Sequence, residues 1–166
     1  MRTLLCLSLV VAAACAREKP QAVVSAADRY AGDWEGRAVP SAADTGVPFA
    51  THLAAGADGT LSGTLTFAGP GAAAIVLRPV EMSDSTIVFE IGPYQVPNTT
   101  TEAITRFEGR LAGDSLSGSY VTLPTVGGGV VPDMSTAQWK NAETHPAPGS
   151  EPMRGTFVAG RRHATP

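Results

Sequence analysis

The chain has 166 residues, of which 43% are apolar, 16% charged and 6% aromatic, with 18 Gly and 13 Pro. That apolar content excludes a fully disordered chain, and a net charge of −3 excludes the basic footprint of a nucleic-acid binder. The length suits one domain able to bury a core of its own.

Arg2 gives a short positive start, and the apolar run Leu4 to Val11 has the length of a signal-peptide core. Ala12-Ala13-Ala14-Cys15 follows. Three small residues ahead of a Cys resemble a bacterial lipobox. The resemblance implies cleavage after residue 14, a diacylglycerol on the Cys15 thiol and an acylated amine. Ala12 stands where Leu is commoner in that motif. Ala16, rather than Asp, follows the Cys, which the resemblance associates with release to the outer membrane. A stable anchor needs more than one acyl chain, and this modification supplies several. The other reading is an ordinary secretory signal with an Ala-x-Ala cleavage site, leaving a soluble secreted or periplasmic protein. The expected partner is thus a membrane, reached through the N-terminal lipid; the sequence points to no nucleic acid and to no particular protein.

Only two Cys occur. Cys6 lies in the discarded segment and Cys15 is taken by lipid. The mature domain is therefore expected to hold no disulfide, no thiol nucleophile and no Cys-based metal site. Residues 15–29 read as a tether, with a short helix over Ala22 to Tyr30 inside it. From Tyr30 onward, short alternating runs separated by Gly, Asp, Ser and Pro clusters predict antiparallel strands with one face buried.

Eight strands are expected: Asp33–Val39, Pro48–Ala55, Thr60–Phe67, Ala74–Met82, Thr86–Ile91, Ala103–Leu111, Leu116–Leu123 and Met153–Arg162. Gly56-Ala57-Asp58-Gly59 reads as a hairpin turn. Gly92 to Glu102 reads as a loop. A long insertion, 124–152, separates the last two strands, and 163–166 is a tail. The barrel domain is thus 30–162.

Gly recurs at one register. Trp34 shares a face with Gly36, Leu61 and Leu65 with Gly63, Phe107 with Gly109, Tyr120 with Gly118, and Phe157 with Gly155. Gly in a strand costs entropy and packs nothing, so the repetition wants a reason. A sheet curling into a small barrel crowds its interior, and Gly at inner positions relieves the crowding. An open sandwich with Gly at bulges is the alternative. Sequential strands with short turns close readily and lose their edges, which favours an all-β, eight-stranded, antiparallel up-and-down barrel. Such a barrel is filled by side chains or holds one small ligand. Inner Gly, by withholding volume, points toward the ligand.

Gly32-Asp33-Trp34-Glu35-Gly36-Arg37, Gly56 to Leu65, Ile87-Val88-Phe89-Glu90, Phe107 to Tyr120 and Gly155-Thr156-Phe157 resemble the lipocalin-like β-domain of secreted bacterial proteins, a domain that often precedes an α/β-hydrolase. The likeness runs from Tyr30 to Arg162 apart from the insertion. Trp34 and the Gly56–Thr64 run also look avidin-like, but no biotin site carries over. Two departures from the hydrolase-fused pattern stand out. No catalytic domain is expected after the barrel, and the last connection is about four times a normal hairpin.

No catalytic machinery is legible. There is no Gly-x-Ser-x-Gly elbow and no His-Glu-x-x-His, and Gly127-Gly128-Gly129 lacks the Lys of a phosphate loop. His52, His145 and His163 are scattered, so no metal is expected. No cofactor and no enzyme activity are expected. Glu35, Arg37, Glu108 and Arg110 read as outer-face charges able to pair across strands. Trp34, Phe49, Leu65, Phe67, Phe89, Phe107, Tyr120 and Phe157 are the candidate wall of a site for a small apolar or amphipathic ligand. Trp139, in the insertion, is placed at the rim, either on a lid over one mouth or covering the barrel end. The alternative function is an envelope interaction module with a filled barrel, working through loops such as 92–102.

Overall fold

Alternation of apolar and polar residues fixes the strands, and closure fixes their order. A computed structural model of the chain describes residues 24–41, 45–69, 71–97, 99–125, 136–146 and 148–163. A short helix α1 (Ala26–Tyr30) leads into β1 (Gly32–Pro40), β2 (Val47–Ala55), β3 (Leu61–Phe67), β4 (Ile75–Met82), β5 (Thr86–Gln95), β6 (Glu102–Ala112) and β7 (Ser115–Pro124). Helix α2 (Thr136–Thr144) and strand β8 (Met153–Arg161) complete the chain. The eight strands form one closed barrel in sequence order, each antiparallel to its neighbours. β1 meets β8 along Trp34↔Arg161 to Pro40↔Gly155, so neither is left as an edge.

Each strand boundary falls within a residue or two of its expected place except at β5. That strand was expected to stop at Ile91. It continues through Gly92-Pro93, whose peptide bond is cis, to Gln95. Pro93 cannot donate to the ladder, so the register shifts between Ile91 and Tyr94. Pairing then resumes as Tyr94↔Ala103 and Gln95↔Glu102. The loop expected over 92–102 shrinks accordingly to 96–101.

The segment expected as tether also ends earlier. Ser25 caps α1: its hydroxyl accepts from the Asp28 N–H at 3.1 Å, and the Asp28 carboxylate accepts from the Ser25 N–H at 3.0 Å. Ala27 and Tyr30 are fully buried. Tyr30 donates its hydroxyl to the Ser83 carbonyl at 3.0 Å, in the β4–β5 turn, and Trp34 Nε1 donates to the Tyr30 carbonyl at 2.9 Å. Residues 26–29 thus close one end of the barrel. Cys15 and the rest of residues 1–23 lie outside the described residues, as do 126–135 of the insertion.

The inner glycines explain the curl. A Cβ on Gly36, Gly63, Gly118 or Gly155 would run into the main-chain oxygen of Val158, His52, Glu108 or Val39 respectively, each on an adjacent strand. At Gly109 it would sit 3.1 Å from Leu116 and from Phe157 and 3.3 Å from Ile87. These positions face inward, as expected, but they hold no space for a ligand. Neighbouring backbone and rings already occupy it.

Gly118→Ala is therefore expected to destabilise the protein by about 2 kcal/mol or more, because a rigid main chain must move. Gly160→Ala is the control: nothing lies within 4 Å of its added methyl, and its effect should stay within about 0.5 kcal/mol. Urea denaturation of both variants measures the difference.

Candidate functional site

The expected apolar wall is present. Trp34, Phe49, Leu65, Phe89, Phe107, Tyr120 and Phe157 are buried in a single cluster, and Phe67 packs partly buried against it. The rings touch one another across the interior. Phe89 stacks on Phe107 at 4.8 Å between centroids; Phe107 meets Tyr120 at 5.6 Å and Phe157 edge-on at 5.3 Å; Phe157 meets Phe49 at 6.5 Å. This chain of rings joins β5, β6, β7, β8 and β2, so the middle of the barrel is occupied by its own side chains.

Two polar features interrupt the apolar lining. Thr51 donates to the Thr64 carbonyl at 2.7 Å. Toward the end opposite α1, the hydroxyls of Tyr94 and Thr105 lie 2.7 Å apart, and those of Thr105 and Thr122 also 2.7 Å. Burial pushes the Tyr94 phenol above its ordinary range, opposed by the hydrogen bonds to the threonines. Burial pushes Tyr120 up to about 12, with Tyr94 nearby adding to the rise. Both phenols stay neutral at any physiological pH.

Above these hydroxyls a cavity of about 440 Å³ opens at the far end of the barrel. Phe67, Ile75 and Tyr94 form its base, and Ala68, Gly69, Gly71, Ala72 and Ala73 on one side and Gln95, Val96, Pro97 and Thr99 on the other line it. Phe67 and Tyr94 face each other from β3 and β5, 5.5 Å between centroids and tilted by 31°. Of the expected wall only Phe67 reaches this cavity. Tyr94 and Ile75 were missed, Tyr94 because β5 was cut short at Ile91. A strand resuming after Gly-Pro, with Tyr94 in register with Ile91 only through a bulge, leaves little trace in alternation.

Trp139 is the clear correction. It neither stands at the rim nor covers a barrel end. It is 2% exposed and packs on the outside of the barrel against Ile104 and Leu123, with Val121 and Ala142 beside it. The signal was in the strands. Ile104, Val121 and Leu123 point outward between inward Ala103, Thr105, Tyr120 and Thr122, so apolar residues occupy both faces there. An outer wall of that kind needs a cover, and α2 supplies it. A crevice of about 340 Å³ runs beneath the helix, lined by Arg106, Glu108, Trp139, Lys140, Glu143 and Arg154 among others. A wider hollow of about 620 Å³ lies on the outer wall of β1, β2 and β8.

The outer charges pair differently from the expected ladders. Glu35 takes Arg162 at 3.1 Å, Arg37 donates to the Gly46 carbonyl at 3.2 Å, and Glu108 lies 3.8 Å from Arg106. Exposed pairs of this kind contribute little to stability. Arg106 and Glu90 are the exception, buried on the outer wall 3.4 Å apart. His52 is exposed on the outer face, 2.7 Å from Asp33, and His163 lies 3.2 Å from Asp114. Among the described residues no three His, Cys, Asp or Glu side chains gather in a way that could hold a metal ion, and no helix is long and apolar enough to cross a membrane.

No protein family, curated protein or solved structure gives a significant match to this chain.

Two measurements test the site. Because folding raises the Tyr120 pKa, the folded state holds its proton where the unfolded chain loses it. Stability is thus unaffected below about pH 10 and falls between pH 10 and 12. Urea unfolding from pH 7 to 11.5 should show this decline, shallower in Tyr120→Phe and shallower still when Tyr94→Phe is added. Trp139→Ala is expected to lower stability by roughly 3 kcal/mol through loss of the α2 contact. The near-ultraviolet circular dichroism of the interior rings should survive that change; its collapse would place Trp139 in the barrel core.

Proposed function

We propose that this protein is a lipid-anchored, non-catalytic β-barrel of the bacterial cell envelope that holds a small apolar or amphipathic ligand. On this reading the barrel is of the lipocalin-like type and the anchor is the acylated Cys15, with the outer membrane as destination. The observation that carries the ligand reading is the far-end cavity, based on Phe67, Ile75 and Tyr94. Small-molecule pockets are concave and combine apolar side chains with placed polar groups; here Phe67, Ile75 and Tyr94 are joined by Gln95 and Thr99. On this reading the ligand lies at the mouth rather than along the axis, where the rings meet. The anchor reading is supported by the Ala12-Ala13-Ala14-Cys15 run behind an apolar segment. The absence of a nucleophile elbow or metalloprotease motif from the sequence supports a non-catalytic role.

A second reading has its own support. The rings of Phe49, Phe157, Phe107 and Phe89 pack across the interior, as in a barrel that acts as a rigid platform for a protein partner and carries nothing.

Native mass spectrometry of the protein purified from its own host separates the two. The first reading expects a retained small molecule. Bare protein at every charge state, together with a co-purifying partner, supports the second. For the anchor, Cys15→Ala should move the protein from the membrane to the soluble fraction and abolish labelling by a palmitate analogue; a variant still held at the membrane contradicts it.

A further inference from the structure

The far-end cavity differs in chemistry from the rest of the surface, and we infer that its ligand is an uncharged molecule with a flat apolar body lying on the Phe67–Tyr94 pair. This inference rests on the far-end site proposed above and names the class of ligand it takes.

The connections 68–74 and 96–101 read Ala-Gly-Pro-Gly-Ala-Ala-Ala and Val-Pro-Asn-Thr-Thr-Thr, without an ionisable side chain between them, in a chain that carries 12 Lys and Arg and 15 Asp and Glu. The base is equally neutral: Phe67, Ile75 and a Tyr94 phenol that burial keeps protonated. No charged side chain is among the described residues that line the cavity; Glu102, at the start of β6, directly follows the 96–101 connection. The opposite end carries Asp58, Asp84, Asp114, Arg161 and Arg162, and the crevice under α2 holds Arg106, Lys140, Arg154, Glu108 and Glu143. A carboxylate or ammonium entering the cavity would shed hydration and meet no opposite charge among the residues that line it. A hydroxyl or carbonyl carries a much smaller penalty than an ion. The Tyr94 hydroxyl is engaged by Thr105, at 2.7 Å, and by Thr122, so Tyr94 offers the ligand its ring, and polar groups of the ligand meet Gln95 and Thr99 at the cavity side. The two facing rings, 5.5 Å between centroids, offer a surface suited to a planar group, since tilted and offset ring contacts are favourable.

A matched pair of probes tests this: 2-naphthalenemethanol, neutral, and 2-naphthoate, anionic, titrated into the full-length chain at pH 7.5 and followed by amide chemical shifts. The alcohol should shift the amides of 68–75 and 94–101, and the carboxylate should bind about tenfold or more weakly. Ala73 is exposed at the cavity side, so Ala73→Lys leaves the core untouched. It should narrow the gap, strengthening naphthoate about tenfold relative to the alcohol. Naphthoate binding these loops as tightly as the alcohol, or gaining nothing from Ala73→Lys, overturns the neutral-ligand inference while leaving the far-end site in place. Shifts from neither probe at these loops overturn the site itself, and the inference with it.

Discussion

Closure of β1 onto β8 is the constraint on which the other features rest, and one arginine holds it at the point of entry. The Arg161 guanidinium lies over the Trp34 ring, 4.3 Å from its centroid. Its Nε donates to Asp114 at 2.9 Å, and its two terminal nitrogens donate to the carbonyls of Ala31 and Arg29. One side chain thereby ties the last strand to the first strand, to α1 and to the β6–β7 turn. A cation held over an indole and surrounded by acceptors is stabilised more than the same group in water, because little solvent competes. Sheet edges vanish only when this seam is made.

A small closed barrel forces its strands to coil tightly, and the inner glycines are where that coiling brings main chains together. The consequence reaches function. Space that an inner Gly leaves on paper is taken in the folded chain by an adjacent carbonyl or, at Gly109, by Phe157. Aromatic side chains fill what remains of the middle. The volume left to a ligand is therefore at the far end, where the strands diverge into loops and the lining passes from rings to a short chain of hydroxyls.

The two ends and the outer wall differ in ways that follow from what covers them. One end is sealed by α1, whose Tyr30 reaches the β4–β5 turn. The outer wall of β6 and β7 is sealed by α2, with Trp139 on Ile104 and Leu123. Glu90 and Arg106 are buried on the outer wall as well, where an ion pair persists only when its geometry and hydrogen bonds compensate for lost hydration. The long connection between β7 and β8 thus gives the outer wall part of its cover through α2.

Most of the barrel was legible in the chain itself. Period-two alternation set the strands, hairpin-turn residues set their ends, and Gly at one register announced a curled sheet, because these depend on contacts near in sequence. All eight residues read as an inner wall face inward, while Trp139, read as a rim residue, packs on the outside. Three features depended on contacts distant in sequence. Tyr94 entered the site through pairing with β6, after a bulge that alternation cannot foresee. Trp139 went to the outer wall because Ile104 and Leu123, far along the chain, needed covering. Whether the inner face enclosed a hollow or filled itself was decided only when rings from five strands met, since the sequence gives each ring's face but not its distance from the others.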